Sequence, residues 1–133
     1  MIDIDIIKIA ARNNNHRLIK SSSHYASVTN KICGDKIKLQ VELKKKKINL
    51  IKYETESCIF CQASASILSD IIKRLDITEL KTDIANLQLI AKNKKVPIPY
   101  KYREYKALIN EKYKNRINCV MLPFNALIKA LKI

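Results

Sequence analysis

Residues that interrupt regular structure are scarce in this sequence. It has one glycine and three prolines in 133 residues, and two of the prolines, Pro97 and Pro99, lie close together. Because Gly and Pro are the strongest marks of turns and linkers, their scarcity gives no sign of a boundary between domains. With 47% apolar residues, a chain of this length can bury one core but would leave two separate cores thin. We expect a single domain over residues 1–133.

Long apolar runs are missing as well, and the first residues give no support for a secretory signal. No run approaches the roughly 20 residues that span a bilayer, and the first ten residues carry Asp3 and Asp5 where a secretory signal would be basic. We therefore expect a soluble cytoplasmic protein with no membrane partner. In a reducing compartment the four cysteines are better suited to metal or sulfur chemistry than to a disulfide framework.

Acidic residues are few: the sequence has 12 Asp and Glu but 26 Lys and Arg, which gives a formal net charge of +14. This charge predicts attraction to nucleic acid, anionic membranes or acidic proteins. The densest basic run, residues 44–47, lies between two alternating apolar segments and is typical of a solvated hairpin end. Aromatic side chains lie among lysines at Tyr100, Tyr102, Tyr105 and Tyr113. Without a surrounding RNA-binding signature, this sparse set does not predict nucleic acid as the partner.

The middle of the sequence alternates between apolar and polar residues. From Cys33 to Leu43 the apolar side chains fall on one parity, which predicts a half-buried strand. Residues 48–55 form a second strand, with a bulge after Leu50 where the apolar parity changes. The lysine run joins these two strands as an antiparallel hairpin. Residues 24–28 mix β-branched and aromatic side chains and suit a short additional strand.

Helical spacing of apolar residues occurs on both sides of these strands. Residues 3–17 should form a short helix that turns Ile6, Ile7 and Ala10 inward. The other predicted helices run through the stripe Ala63, Ile67, Ile71 and Leu75, over 79–92 with Thr78 as the cap, over 102–113 with Tyr105 and Leu108 inward, and over 120–131. Pro123 fits only a first helical turn, so the last helix should begin close to Cys119. The predicted fold class is α+β, an antiparallel sheet of about three strands with helices packed on one face.

Thiols and a carboxylate stand at the ends of predicted elements. Cys33 and Asp35 are two residues apart at the start of a strand, so their side chains point to one face. Cys58 precedes a helix, where backbone N–H groups and the helix dipole favour a thiolate, and Cys119 holds the same place before the last helix. Three thiolates and a carboxylate suit tetrahedral zinc or an iron-sulfur cluster. Their spacing completes no local motif, so buried apolar cysteines explain it equally well.

Three separated stretches share a further pattern. Residues 32–39 have the sequence ICGDKIKL, Cys58 is followed by QASAS at 62–66, and residues 116–127 have the sequence RINCVMLPFNAL. In this order they resemble the CGD motif with its strand, the second cysteine with its Ala-Ser-rich helix, and the third cysteine with the closing helix of the NifU/IscU/SufU scaffold family. The long segment before the third cysteine, and Asn118 in place of the histidine of the IscU branch, favour the SufU branch.

The resemblance implies an iron-sulfur cluster assembly protein rather than an enzyme. Such a protein acts as a scaffold, or as a zinc-dependent persulfide acceptor for a cysteine desulfurase of the SufS/NifS type, and serves downstream assembly or recipient proteins. Accessory sulfurtransferase activity is compatible with this role. The implied ligands of zinc or of a transient iron-sulfur cluster are Cys33, Asp35, Cys58 and Cys119. The resemblance favours Cys33 as persulfide acceptor, Cys119 as the alternative, and Asp35 as the weak ligand that sets lability.

Several residues and functions stay open at this point. Ser57 stands where the family usually has glycine, and Cys61 adds a thiol that forms C-x-x-C with Cys58. Cys61 is a replacement ligand, a thiol that resolves a persulfide as a disulfide, or a buried bystander. His24 is a metal ligand or an ordinary hydrogen-bonded histidine. The alternative functions are a basic, zinc-stabilised nucleic-acid-binding module, whose affinity would fall with salt, and a diverged regulatory copy.

Overall fold

One helix, a sheet and a group of helices follow one another along the chain. The computed structural model describes residues 2–12, 15–92 and 97–133. Within these ranges the α-helices are α1 (Ile4–Ala10), α2 (Ile59–Ile71), α3 (Ile77–Lys92) and α4 (Ile117–Leu131), and the strands are β1 (His24–Thr29), β2 (Lys36–Lys44) and β3 (Lys47–Glu56). Short 3-10 helices cover Ile72–Arg74, Tyr100–Ala107 and Glu111–Arg116. Of the helices in the described ranges, none has the length and apolar character that crossing a membrane requires.

The described strands form one antiparallel sheet in the order β1-β2-β3. Ile37, Leu39 and Val41 of β2 are buried, whereas Lys36 and Lys38 are exposed, as alternation along a half-buried strand predicts. α4 packs against β1 and β2, and α2 packs against β3 and α4. The predicted α+β class, with helices on an antiparallel sheet of three strands, is confirmed.

The lysine run closes the β2–β3 hairpin, as predicted. Lys45 and Lys46 have φ angles of 53° and 64°, the left-handed backbone that two-residue hairpin turns favour. The predicted bulge is present but lies slightly earlier: Glu42 pairs with Leu50 and Leu43 with Ile48, which leaves Asn49 as the extra residue. The extra residue explains how Ile48 and Ile51, which differ in parity, are both buried.

The first helix is shorter than predicted. α1 ends at Ala10, and Asn13 and Asn14 of the predicted range 3–17 lie outside the described residues. Ile6 and Ile9 are buried where α1 packs on α2, whereas Ile7 is 49% exposed. The inward assignment of Ile7 was wrong because the buried face follows the i, i+3 spacing of Ile6 and Ile9. Ile7 lies about 100° around the helix from Ile6.

The predicted apolar stripes of α2 and α3 are confirmed, while the predicted cap of α3 is not. The buried stripe residues are Ala63, Ile67, Ile71 and Leu75 in and after α2, and Leu80, Ile84, Leu87 and Ile90 in α3. α3 begins at Ile77, one residue before the predicted cap Thr78. The Thr78 backbone N–H instead donates to the Asp76 carboxylate at 2.8 Å. The carboxylate thus satisfies an N–H that the first helical turn leaves unpaired.

The segment 102–113 forms two 3-10 helices rather than the predicted single helix. Tyr105 and Leu108 point inward as predicted and are fully or almost fully buried. The Asn110 side-chain amide donates to the carbonyl oxygens of Lys106 and Ala107 at 2.9 and 3.2 Å. These bonds satisfy the carbonyls that end the first segment, and Asn110 itself is extended. The side chain therefore competes with continuation of the helix.

The last helix begins earlier than predicted. α4 starts at Ile117, which places Pro123 in its interior as the seventh residue. The prediction that Pro123 must lie in the first turn was wrong because α4 is buried on most sides, and this packing outweighs the roughly 3 kcal/mol that an interior proline costs. The predicted core residues Leu122, Ala126, Leu127 and Ala130 are all buried. Because proline has no N–H, the carbonyl of Cys119 lacks its usual donor four residues later.

Candidate metal centre

The turn between β1 and β2 carries two of the predicted ligands. The Gly34 N–H donates to the Asn30 carbonyl at 2.8 Å, and the Asn30 N–H donates to the Asp35 carbonyl at 2.7 Å. Gly34 has a φ of 79°, a backbone conformation that favours glycine. Cys33 is exposed at this turn, whereas Asp35 is only 4% exposed. The prediction that the strand begins at Cys33 was wrong, since these turn bonds delay β2 until Lys36.

The Asp35 carboxylate is held by the beginning of α2. Cys58 is the N-cap residue of this helix, and its own side chain makes no capping bond. Its backbone N–H donates to Asp35 Oδ1 at 3.0 Å, and its thiol donates to Asp35 Oδ2 at 3.4 Å. A helix N-terminus stabilises a carboxylate through its unpaired N–H groups and its dipole. Asp35 therefore supplies the capping acceptor and brings Cys58 to the turn.

Cys119 reaches the same place from the last helix. It is the third residue of α4 and is 5% exposed, and its Sγ lies 4.0 Å from Cys33 Sγ. The Sγ atoms of Cys33 and Cys119 and a carboxylate oxygen of Asp35 all lie within 4.8 Å of one another. The structure thus brings three of the predicted site residues together, and Cys58 adjoins them through its bonds to Asp35.

Asp35 and Cys119 shift each other's pKa values. Burial raises the pKa of Asp35, but hydrogen bonds from the Cys58 backbone and from the thiols of Cys119, Cys33 and Cys58 outweigh it, so the pKa lies below its ordinary value. Burial, reinforced by Asp35 and Cys58, raises the pKa of Cys119. The hydrogen bonds that Asp35 accepts thus favour its charged form. A positive charge among these donors would favour their ionised forms.

This donor set fits a soft divalent metal. Sulfur with a single oxygen donor is a combination found at zinc sites, and thiolates are the usual ligands of iron-sulfur clusters. Asp35 and Cys119 are buried, while Cys33 leaves one side of the group accessible from solvent. The arrangement can therefore hold a metal ion and also expose a thiol to another molecule.

Cys61 and His24, the two residues left open by the sequence, are separate from this group. Cys61 is fully buried with its Sγ 3.8 Å from Thr55 Oγ1, and burial raises the pKa of its thiol to about 11. His24 Nδ1 lies 2.8 Å from Ser23 Oγ. It pairs with Val41 at the end of β1 remote from the turn. These contacts favour an ordinary histidine at position 24 and argue against Cys61 as a replacement ligand.

A buried serine that the sequence did not single out links the two helices of the site. Ser64 Oγ donates to the carbonyl of Val120, the residue after Cys119, at 2.5 Å. The Tyr105 hydroxyl donates to the Ser64 carbonyl at 2.9 Å. Both side chains are fully buried. Ser64 therefore ties α2, which begins after Cys58, to the first turn of α4, and its only mark in the sequence is a polar residue in a largely apolar helix.

Comparisons with known proteins give a family and several related folds. The model of the NifU-like N terminal domain matches residues 6–131, whereas no curated protein matches the chain in sequence. The crystal structure of a NifU-like protein (N-terminal) from Brucella abortus superposes with a TM-score of 0.81 at 17% identity, covering 98% of this chain and 91% of that chain. A hypothetical protein solved at 2.3 Å has a TM-score of 0.81 at 23% identity, covering 98% of each chain. A protein described as an iron-sulfur cluster assembly scaffold for the SUF system from the thermophile Fervidobacterium islandicum AW-1 has a TM-score of 0.79 at 21% identity, covering 97% of this chain and 95% of that chain.

The structural neighbours and the family model carry different weight. At such low identities, the neighbours show a common fold that extends over nearly all of each chain. The family model matches the sequence itself and includes Cys33, Asp35, Cys58 and Cys119 within its span. On this match, the protein belongs to the family of NifU-like N-terminal domains.

Proposed function

We propose that this protein takes part in iron-sulfur cluster assembly, as a scaffold or as a zinc-dependent acceptor of persulfide sulfur from a cysteine desulfurase. The observation that carries the proposal is the convergence of Cys33, Asp35 and Cys119 donor atoms within 4.8 Å, with Cys58 bonded to the same carboxylate. Family membership supports this role. The fold shared with the SUF-system scaffold supports assignment to the SufU branch.

Cys33 is the first sulfur acceptor in this proposal, because it is the exposed thiol of the group. Its sulfur bonds to the outer sulfur of the desulfurase persulfide, the bond from that sulfur to the desulfurase cysteine breaks, and the Cys33 proton passes to the departing thiolate. Cys119, whose Sγ lies 4.0 Å away, is the alternative acceptor. The protein thereby receives sulfur rather than acting as an enzyme, and any sulfurtransferase activity is accessory.

The proposed ligands of zinc, or of an iron-sulfur cluster carried as cargo, are Cys33, Asp35, Cys58 and Cys119. Bound zinc would keep the thiols ionised and ready for sulfur exchange. Asp35 is the one oxygen donor among sulfur donors, which makes it the weakest partner of a soft metal. Its bonds to the Cys58 N–H and thiol give the carboxylate an alternative position when it is not a ligand. Asp35 therefore sets the lability of the site.

The proposed function requires protein partners and a reducing compartment. A cysteine desulfurase supplies the sulfur, and downstream assembly or recipient proteins take the product. Residues 1–133 act as a single assembly domain. We assign it to the cytoplasm, where thiols such as the four free cysteines stay reduced.

The nucleic-acid alternative gains no support from the tyrosines that lie among lysines in the sequence. Tyr102, Tyr105 and Tyr113 are buried in the core. Tyr100 is exposed, and the guanidinium carbon of Arg103 lies 4.1 Å from its ring centroid. Base-stacking platforms need several exposed rings along a basic groove. Three of these four tyrosines therefore have a role in the core rather than in base stacking.

The decisive experiment measures metal and acid-labile sulfide in anaerobically purified protein, before and after addition of a cysteine desulfurase and cysteine. We expect bound zinc or a labile cluster in the wild type, and its loss, together with desulfurase-dependent persulfide formation, in Asp35→Ala and Cys119→Ser. Cys61→Ser is the matched thiol control and should keep its metal. A wild-type protein that holds no metal and accepts no sulfur would leave the family fold without this function.

A further inference from the structure

The C-x-x-C pair of Cys58 and Cys61 spans the first turn of α2. Cys58 is the N-cap, and Cys61 is the third residue of the helix. Residues three apart in a helix are neighbours on its surface, so the two cysteines lie on the same side of this first turn. Cys58 is half-buried and bonded to Asp35, whereas Cys61 is fully buried. One thiol of the pair therefore lies in the metal centre and the other lies behind it.

Cys61 faces hydroxyl groups although it is buried in the core. Its Sγ lies 3.8 Å from Thr55 Oγ1, which lies 2.6 Å from Ser57 Oγ. Both hydroxyls come from the end of β3 and the residue that follows it. A cysteine that only fills space packs equally well against apolar groups. Burial raises the pKa of the Cys61 thiol, and hydrogen bonds from Ser57 and Thr55 offset part of this rise. The two hydroxyls thereby favour negative charge that develops on the sulfur during thiol exchange.

We propose that the Cys58–Cys61 dithiol reduces persulfide sulfur to sulfide, with Cys61 as the resolving thiol. The inference rests on the proposed function for the supply of the persulfide. The outer sulfur of a persulfide is more oxidised than the sulfide of an iron-sulfur cluster. Two electrons must therefore be supplied to convert this sulfur into sulfide. Two thiols that become one disulfide provide these electrons.

The chemical step is an exchange at Cys58. Cys33 and Cys58 share Asp35 as a hydrogen-bond acceptor. The Cys58 sulfur first bonds to the outer sulfur of a Cys33 persulfide, the bond from that sulfur to Cys33 Sγ breaks, and the Cys58 proton passes to Cys33. The Cys61 sulfur then bonds to Cys58 Sγ, the bond between Cys58 Sγ and the outer sulfur breaks, and the outer sulfur departs as hydrosulfide with the Cys61 proton. Atoms and charge balance without an oxidant. A small-molecule or protein dithiol must afterwards reduce the disulfide for another cycle.

Formation of this disulfide has a second consequence for the metal centre. Cys58 Sγ now lies 3.4 Å from Asp35 Oδ2, and a bond to Cys61 would turn it away from the carboxylate. The proposed ligand set then loses one thiolate. Sulfide release and weaker metal binding are therefore coupled in this protein.

The test uses the full chain, freed of metal by a chelator, reduced, and desalted under anaerobic conditions. One arm is charged with inorganic polysulfide, and the other with a cysteine desulfurase and limiting cysteine. Excess donor is removed by desalting, after which released sulfide is measured and the state of each cysteine is read by alkylation and peptide mass spectrometry. Thermal unfolding of every variant verifies that it is folded.

In the wild type we expect about one sulfide released per chain, together with a Cys58–Cys61 disulfide. Cys61→Ser and Cys61→Ala should retain the persulfide and release about tenfold less sulfide until dithiothreitol is added. Two variants at position 61 keep the test valid if one of them fails to fold.

Equal sulfide release from the wild type and a folded Cys61 variant would overturn the inference. So would a wild type that keeps its persulfide while Cys61 remains a thiol. The two arms separate this inference from the proposed function. Disulfide formation with polysulfide but no charging by the desulfurase would reject the proposed function alone, whereas charging in both arms without the disulfide would reject the inference alone.

Discussion

Replacing Gly34 with alanine should destabilise the turn that carries Cys33 and Asp35. Gly34 has a φ of 79°, and the left-handed backbone costs other L-residues about 1–2 kcal/mol. A Cβ at this position meets no atom within 4 Å, so no clash adds to this cost. The lower conformational freedom of alanine in the unfolded chain offsets about 0.4–1 kcal/mol. The net loss in the free energy of unfolding is about 1 kcal/mol, which for a domain of this size lowers Tm by about 4 °C.

Thermal unfolding of the metal-free protein, followed by circular dichroism, measures this effect. Gly34→Asn is the matched control, because asparagine tolerates the left-handed region better than alanine does; its Tm should lie between those of the wild type and Gly34→Ala. An unchanged Tm in Gly34→Ala would refute the assignment of strain to the backbone. A larger loss in Gly34→Asn than in Gly34→Ala would show that steric contact, not φ, decides the position. Metal titration should then give weaker binding for Gly34→Ala, since relaxation of the turn moves Cys33 relative to Asp35.

Three further predictions concern the core and the thiols. Tyr105→Phe removes a buried donor to a carbonyl of α2 and should lower the free energy of unfolding by about 1 kcal/mol in urea titrations; no change would contradict the role of this bond. Ile6→Ala should cost about 2–5 kcal/mol, whereas its exposed neighbour Ile7 should tolerate alanine within about 0.5 kcal/mol, and similar losses would contradict the observed helix face. Alkylation of the metal-free protein should modify the exposed Cys33 well before the buried Cys61, because burial raises the pKa of Cys61 to about 11 and only the thiolate reacts. The labelling of Cys61 should rise with pH toward that value or on unfolding in urea, and early labelling of Cys61 at neutral pH would contradict its burial.

The parts of the fold that repeat a simple period could be predicted from the sequence. β2 follows the alternation of Ile37, Leu39 and Val41, and α3 follows the stripe that begins at Leu80, because burial on one face of a regular element leaves a periodic pattern. The turn at Gly34, the one glycine in the sequence, was not predicted, because Cys33 and Asp35 share the parity of Ile37 and the predicted strand was extended over them. The sequence pattern predicts the structure correctly where a helix or strand buries one face and exposes the other.

Features that depend on several elements at once could not be predicted in this way. Pro123 lies inside α4 because the packing of α4 on the sheet and on α2 outweighs the cost of an interior proline. A prediction from sequence includes this cost but not the packing energy that offsets it. The distance between Cys33 and Cys119 is set by the β1–β2 turn and the start of α4, which are far apart in sequence. The resemblance of three motifs to one family anticipated that these residues belong together, but spacing alone did not. The hydrogen bond from Ser64 to the α4 backbone likewise corresponds to no periodic pattern in the sequence.

The four candidate ligands differ in how firmly the protein holds them before any metal binds. Asp35 is buried and bonded to the backbone of Cys58, Cys58 begins α2, and Cys119 lies in the first turn of α4, which Ser64 ties to α2. These three donors are therefore positioned by the core itself. Cys33 is exposed in a turn whose backbone bonds involve neighbouring residues rather than the core. A site with three fixed donors and one accessible thiol is suited to retain its shape while Cys33 exchanges sulfur, whereas four equally buried thiols would close the site to a partner.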